Sequence, residues 1–166
     1  MNTEIRPAEI LVIDDEEHVR QSFSDFLEDS GFSVRSAENG RQGLDRITEH
    51  PPDLVLLDLK MPETDGFEVL EQAQKIVPDT AFIVISGLNQ ISDAVRALKT
   101  GAWDYLEKPV RDFSILHHAV ETALDRRRLI RENRQFQEHL DKSKKLRLEN
   151  HLLKSKLMHP YGLAHL

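Results

Sequence analysis

The sequence predicts an α/β domain built on a doubly wound, five-stranded parallel sheet and followed by a long helical extension. Short apolar segments alternate five times with amphipathic helical patterns, and the loops between them are short. Strict alternation of this kind favours parallel strands with helices on both faces of the sheet. The predicted boundaries are 1–124 for the domain, 125–158 for the helical extension and 159–166 for a short irregular tail.

The strands are predicted from short apolar runs that are bounded by turn residues. The first and third are the clearest, because EILVIDD at 9–15 and LVLLD at 54–58 run without interruption into acids. Such runs are typical of strands that are buried on both faces. The second run is weaker, because Ser33, Arg35 and Ser36 dilute it. The remaining predicted strands lie at 32–37, 81–86 and 103–106.

The helices are predicted from apolar residues at helical spacing and from the breakers that follow them. After the first strand, Val19, Phe23, Phe26 and Leu27 share one face of a helix. Gly31 comes next and suits a helix C-cap. The other helical patterns cover 43–47, 67–76, 91–100 and the residues from 112 onward.

Composition limits the possible functions. The 166 residues carry a formal net charge of −7 and include no cysteine, which argues against disulfides, thiolate metal sites and indiscriminate nucleic-acid binding. The basic run at 126–128 is followed by interleaved acids, without the pattern of a DNA-binding helix. The N-terminus lacks the apolar segment of a signal peptide, and no apolar run approaches a membrane span. We therefore expect a cytoplasmic protein that binds neither nucleic acid nor membrane.

Polar side chains follow the predicted strands at their carboxyl ends. Asp14 and Asp15 end the first strand, Asp58 the third and Ser86 the fourth, and Lys108 follows the fifth. Taken alone, Asp58 could equally cap a turn, since Asp favours turns. In a parallel sheet, however, the strand ends lie on one edge, so these side chains can converge.

Three neighbouring carboxylates repel one another unless a cation lies among them. A hard divalent ion with oxygen ligands fits this need, and Mg²⁺, or alternatively Mn²⁺, is the natural choice. With the ammonium group of Lys108 and the hydroxyl of Ser86, the set indicates a phosphoryl-transfer site in which Asp58 is the nucleophile.

These motifs together resemble the receiver domain of bacterial two-component response regulators. The resemblance covers residues 8 to about 124 and implies a flavodoxin-like, CheY-like fold with strand order 2-1-3-4-5. It also implies that Asp58 takes a phosphoryl group from a histidine kinase, a phosphotransfer protein or a small phosphodonor. The residues that carry the resemblance are Asp14-Asp15, Asp58, Met61-Pro62, Gly66, Ser86-Gly87 and Lys108-Pro109.

The resemblance assigns roles around the metal. Asp15 and Asp58 would bind Mg²⁺ together with the backbone carbonyl of Lys60, and Asp14 would help through bound water. The protein would then catalyse only its own phosphorylation and dephosphorylation, and it would not be an enzyme with a separate substrate.

The resemblance also assigns the phosphoryl clamp and the switch. Ser86 and Lys108 would bind the phosphoryl oxygens, and the Lys108–Pro109 peptide is expected to be cis, which Pro109 allows at small cost. Tyr105 occupies the switch position and would follow Ser86 inward on phosphorylation, which would bias a two-state element. The alternative for Tyr105 is a half-buried core tyrosine.

Residues 112–158 are predicted to form one helix whose C-terminal part pairs with a second copy of the chain. Beyond Arg126 an isolated helix would be marginal in water. The residues of the predicted seam recur at alternating steps of four and three positions, which is typical of a coiled coil. An asparagine at the seam favours a coiled coil of two helices. The step from Leu140 to Leu146 is one residue short of a heptad, which strains a coiled coil locally. A solvated helix or disordered linker is the alternative. The predicted dimer seam consists of Leu129, Asn133, Phe136, Leu140, Leu146, Asn150, Leu153 and Leu157.

The leading hypothesis is a response regulator receiver in a phosphorelay, which signals through a dimeric helix to an output domain that these residues do not include. A stand-alone phosphohydrolase with an aspartyl-phosphate intermediate would need a general acid where Lys60 stands. A phosphorylation-independent dimeric adaptor would be expected to lack some of the acids or the lysine, and all are present.

Overall fold

The computed structural model of the chain describes residues 6–87 and 90–163. It contains the predicted five-stranded parallel sheet, with strand order β2-β1-β3-β4-β5. This is the order that the resemblance implied, and β5 begins one residue later than predicted. The strands are β1 (Glu9–Ile13), β2 (Ser33–Ala37), β3 (Leu54–Leu57), β4 (Ala81–Ser86) and β5 (Asp104–Glu107).

A helix follows each strand. All neighbouring strands pair in parallel, so every connection between them is a crossover that contains a helix. Within the described residues, no helix combines the length and the apolar character needed to cross a membrane. The helices are α1 (Glu17–Asp29), α2 (Gly40–Glu49), α3 (Gly66–Ile76), α4 (Ile91–Thr100) and α5 (Phe113–Leu163).

Two hydrophobic cores lie on opposite faces of the sheet, and β3 contributes to both. All of its side chains are buried, and successive side chains of a strand point to opposite faces. Val55 and Leu57 belong to a core with residues of α2, α3 and α4. Leu54 and Leu56 belong to a second core with residues of α1 and α5. The sheet is therefore enclosed on both sides, as an uninterrupted apolar strand predicts.

Only the first turns of α5 pack on a core. The residues of α5 that are buried there are Leu116, Ala119, Val120 and Ala123. The chain divides into two compact units after Arg127, close to the boundary at 124 that was predicted from the sequence.

The C-terminal end of α5 differs from the prediction. The irregular tail predicted for 159–166 is instead helical as far as Leu163. Pro160 lies within this helix and does not end it, although proline donates no backbone hydrogen bond. The rest of that tail, residues 164–166, lies outside the described residues.

A tight loop connects β3 to α3 around Asp58. The N–H of Gly66 donates to the carbonyl of Leu59 at 3.1 Å, and the side chain of Asp65 caps α3 by accepting from the N–H of Phe67 at 3.0 Å. A Cβ atom at Gly66 would lie 2.9 Å from the carbonyl oxygen of Asp58 and closer still to the Cα of Leu59. Only glycine therefore allows the start of α3 to approach the acid-bearing segment this closely.

We expect Gly66→Ala to destabilise the protein by about 1–3 kcal/mol, because the added methyl group collides with backbone that cannot move aside. The matched control is Gly87→Ala, where the nearest atom to an added Cβ lies 4.0 Å away. Urea unfolding of both variants tests this expectation. Equal stability of the two variants would contradict the proposed packing constraint.

Candidate functional site

The carboxyl ends of β1 and β3 place two acids side by side. Ile13 pairs with Leu57 in the parallel register, so Asp14 and Asp58 leave neighbouring strands at the same level. The N–H of Asp58 donates to the carbonyl of Ile13 at 3.0 Å. Both acids are almost fully buried, with 2% of Asp14 and 4% of Asp58 exposed. Two carboxylates this deep require a compensating cation.

Lys108 supplies that cation. Its Nζ lies 2.7 Å from Oδ2 of Asp14 and 3.2 Å from Oδ2 of Asp58. The backbone holds the lysine in place, because its N–H donates to the carbonyl of Ser86 at 3.0 Å. The peptide between Lys108 and Pro109 is cis, which confirms that prediction.

Burial is the main influence on the carboxyl group of Asp58, and it raises the pKa from 3.8 to about 6. The charge of Lys108 and the backbone N–H of Lys60 lower this pKa, and the charge of Asp14 raises it. For Lys108, burial alone would lower the pKa, but the hydrogen bonds and charges of Asp14 and Asp58 outweigh burial and raise the pKa overall. The lysine therefore stays cationic beside the acids.

Asp14, Asp15 and Glu16 form an acidic cluster, in which one carboxylate oxygen of each residue lies within 4.8 Å of the others. Oδ1 of Asp15 is buried and has no hydrogen-bond partner among the residues that the structure describes. A buried carboxylate oxygen without a partner is costly, and a hard divalent cation would satisfy it. These residues therefore fit an ion such as Mg²⁺.

Asp58 is not part of the acidic cluster, although it was predicted to share the metal with Asp14 and Asp15. Its two oxygens have other partners: Oδ1 accepts from the N–H of Lys60 at 3.1 Å, and Oδ2 accepts from Nζ of Lys108. Lys108 connects Asp58 with the cluster, because its Nζ also lies 2.7 Å from Oδ2 of Asp14 and 3.8 Å from Oε1 of Glu16.

Two residues that support the site were not predicted from the sequence. Nη1 of Arg20 donates to the backbone carbonyl of Asp14 at 2.8 Å, and the N–H of Glu16 donates to Oδ1 of Asp14 at 2.9 Å. Glu16 directly follows the acid pair, so the run of three acids was a visible signal. Arg20 gave no such signal, because an arginine on the polar side of a helix is ordinary.

Tyr105 and Ser86 lie together, as the predicted relay requires. Ser86 is fully buried at the end of β4, and Tyr105 packs against the core that contains α3. Burial raises the pKa of Tyr105, the charges of Asp93 and Glu107 raise it further, and a side-chain hydrogen bond with Ser86 lowers it. A phenol in this position keeps its proton at neutral pH.

The family model for the response regulator receiver domain matches residues 10–121. The chain belongs to the response regulator receiver family. It therefore contains the receiver domain of a two-component response regulator, as the motifs indicated. Receiver domains generally bind Mg²⁺ at an acidic pocket, and Asp14, Asp15 and Glu16 form an acidic cluster in this receiver.

Curated relatives are longer than this chain. The response regulator MprA of Mycolicibacterium vanbaalenii is 42% identical over 103 residues, which are 62% of this chain and 45% of MprA. The regulatory protein AtoC of Escherichia coli is 35% identical over 134 residues, which are 81% of this chain and 29% of AtoC. The chain thus spans less than half the length of these relatives. The AtoC match is longer than residues 1–127, so it continues into α5 beyond Arg127.

Solved structures share the fold. A CheY-like receiver domain protein from Methanospirillum hungatei JF-1 superposes with a TM-score of 0.71 at 31% identity, covering 74% of this chain and 97% of that chain. NtrX from Brucella abortus superposes with a TM-score of 0.72 at 35% identity, covering 76% of this chain and 28% of that chain. These similarities confirm the CheY-like fold of the receiver.

A pocket of about 570 Å³ opens from the receiver site along α1. Its polar lining residues are Glu16, His18, Ser22, Asp58, Lys60 and Lys108. The apolar lining residues are Val19, Phe23, Pro109, Val110 and Phe113.

The predicted seam residues lie on the exposed second part of α5. Leu140 is partly buried, and the other seam residues are exposed, with Leu157 the most open at 72%. Leu148 and Leu152 are exposed too, at 60% and 52%, although they do not belong to the predicted seam. The structure therefore leaves the apolar side chains available for pairing, and the pairing itself stays a prediction.

In metal-free protein, we expect Asp58→Asn to gain stability relative to wild type as the pH rises from about 4 to about 7. The folded protein holds a proton on Asp58 more tightly than the unfolded chain does, because the pKa is about 6 rather than 3.8. Ionisation therefore costs the wild type stability, by up to about 3 kcal/mol, across this interval.

Urea unfolding in EDTA at several pH values measures the effect. Asp45→Asn, which removes an exposed carboxylate of α2, is the control and should keep a constant difference from wild type. If the difference between wild type and Asp58→Asn does not change with pH, the pKa of Asp58 is the same in the folded and the unfolded protein, and the expected cost of its burial is absent.

Proposed function

We propose that this receiver accepts a phosphoryl group on Asp58 in a phosphorelay that depends on Mg²⁺. The observation that carries the proposal is a nucleophilic carboxylate at a strand end, 3.2 Å from a lysine ammonium and next to an acidic cluster that fits a divalent cation. The donor is a histidine kinase or phosphotransfer protein, and a small phosphodonor can replace it. The chain catalyses only its own phosphorylation and dephosphorylation.

The chemical step is an in-line displacement at phosphorus. An oxygen of Asp58 forms a bond to the phosphorus of a phosphohistidine, the phosphorus–nitrogen bond breaks, and the imidazole leaves and takes up a proton. Lys108 lies where its ammonium can pair with a phosphoryl oxygen, and the hydroxyl of Ser86 can donate to another. A bound Mg²⁺ supplies positive charge against the remaining phosphoryl oxygens.

The shape of the pocket supports a protein as donor. Its lining includes the reacting groups Asp58 and Lys108, and it offers the partly exposed side chains of Val19 and Phe113 to a partner surface. Burial of these apolar side chains would orient the donor imidazole toward Asp58. A small phosphodonor makes no such apolar contacts, so it should react more slowly at equal concentration.

The signal leaves the site through Tyr105 and α5. Phosphorylation adds negative charge beside Ser86, and Tyr105 follows through its hydrogen bond to that residue. The second part of α5 pairs with a second copy of the chain through the predicted seam and connects to an output module. The cytoplasmic location predicted from the sequence fits this role and stays a prediction.

Intact-mass measurement after incubation with acetyl phosphate and Mg²⁺ tests the phosphoryl-acceptor role. We expect one phosphoryl group on the wild type and on the control Asp45→Asn, and none on Asp58→Asn. Lys108→Ala should slow phosphorylation on the order of 100-fold, because it removes a charge aimed at the transferred group. An unmodified wild type, or modification that persists in Asp58→Asn, would sink the assignment.

Analytical ultracentrifugation of seam variants tests the dimer. We expect Leu146→Lys, at the seam, to weaken dimerisation by about tenfold or more, because a charge replaces a packed leucine. Leu148→Lys is the matched control, since this leucine is equally exposed but two residues from the seam. A wild type that stays monomeric at every concentration, or equal effects of the two variants, would refute the seam.

A further inference from the structure

Arg127 is bonded to the body of the receiver through two nitrogens of its guanidinium group. Its Nε donates to the backbone carbonyl of Asp79 at 2.9 Å, and its Nη1 donates to Oδ1 of Asp53 at 2.8 Å. The pair is mostly buried, with 15% of the arginine side chain and 19% of the aspartate side chain exposed. Charge-assisted hydrogen bonds in such surroundings are stronger than exposed ion pairs.

The partners of Arg127 lie at the amino ends of the strands, on the edge opposite Asp58. Asp53 precedes β3, and its other oxygen, Oδ2, accepts from the N–H of Glu9 at 2.8 Å, the first residue of β1. Asp79 lies in the turn before β4. One guanidinium group therefore connects α5 with the starts of three neighbouring strands of the sheet.

Arg126 makes a second contact close by. Its guanidinium carbon lies 4.6 Å from the centre of the Trp103 ring, a cation–π geometry. Trp103 lies immediately before β5, and its N–H donates to the carbonyl of Phe82 in β4 at 2.7 Å. The two arginines thus contact the sheet on both sides of β4.

No residue of α5 between Arg127 and Leu140 is buried or half-buried, because residues 128–139 are all exposed. Arg127 is thus the last partly buried residue of α5 before this exposed stretch. Before it, Ala123 and Leu124 are the nearest apolar residues of α5 that pack on the core. The hydrogen bonds of Arg127 therefore help to keep the last turn of α5 in the receiver folded.

We propose that Arg127 and Asp53 are positioning residues that keep α5 attached to the sheet as far as Arg127. A displacement that starts at β5 is then transmitted to the residues after Arg127 through an intact helix. If the last turn of α5 in the receiver frayed, the displacement would not be transmitted. This proposal rests on the proposed phosphoryl-acceptor function. Lysine cannot replace Arg127, because a single ammonium on a flexible stem does not reproduce a planar fork of donors.

Hydrogen exchange of the full chain, measured by mass spectrometry, tests the proposal. We expect amides near residues 120–127 to exchange about tenfold faster or more in Arg127→Ala and Asp53→Asn, since each loses hydrogen bonds to a charged group. Arg127→Lys should rescue only part of the protection. Arg131→Ala is the matched control, because this arginine of α5 is exposed, and it should exchange like wild type.

A second measurement separates positioning from general stability. Beryllofluoride with Mg²⁺ imitates the phosphoryl group, and we expect it to change exchange beyond residue 128 in wild type and Arg131→Ala, but not in Arg127→Ala. Intact-mass phosphorylation by acetyl phosphate should stay at the wild-type rate in Arg127→Ala, because Asp58 lies at the other edge of the sheet.

Three outcomes overturn the proposal. The first is unchanged exchange near residues 120–127 in both Arg127→Ala and Asp53→Asn. The second is faster exchange near residues 120–127 in Arg127→Ala together with a full response to beryllofluoride beyond residue 128. The third is a wild type that becomes phosphorylated but shows no response there. If wild type is not phosphorylated at all, the proposed function itself fails, and the mass measurement shows this separately.

Discussion

The site depends on one ammonium group held between two buried carboxylates. Lys108 is reached from β5, Asp14 from β1 and Asp58 from β3, so their contacts join strands that are not all neighbours in the sheet. Without the lysine, two like charges would face each other in a poorly solvated place. The charge of Lys108 therefore stabilises the fold and also the acids of the proposed site, since it allows carboxylates to be buried where the strands end.

The ammonium group of Lys108 lies at unequal distances from the two acids. It lies 0.5 Å closer to Asp14 than to Asp58, at 2.7 Å against 3.2 Å. On the proposed function, Asp14 would hold the lysine while Asp58 reacts. On the opposite edge of the sheet, Arg127 and Asp53 form a second ion pair, whose cation is buried to a similar extent and whose carboxylate is more exposed. The receiver thus has a cation at each end of its strands: Lys108 lies beside Asp58, and Arg127 lies in the last turn of α5 within the receiver.

Much of the fold and site could be predicted because local patterns carry them. The apolar runs of β1 and β3 identify buried strands, and the acids that follow them identify the reactive edge. The contact of Arg127 with Asp53 could not be predicted, because the residues lie 74 positions apart and belong to no periodic pattern. In sequence, Arg127 is one member of a basic run, and only the tertiary structure distinguishes it from Arg128.

β3 has a consequence for how the receiver can respond. Its successive side chains are shared between two cores, so any sliding or rotation of the strand would disturb packing on both faces at once. Asp58 directly follows this strand. On the proposed function, charge is added beside packing that both cores share, and movement is expected instead in β5 and α4, which have few buried residues.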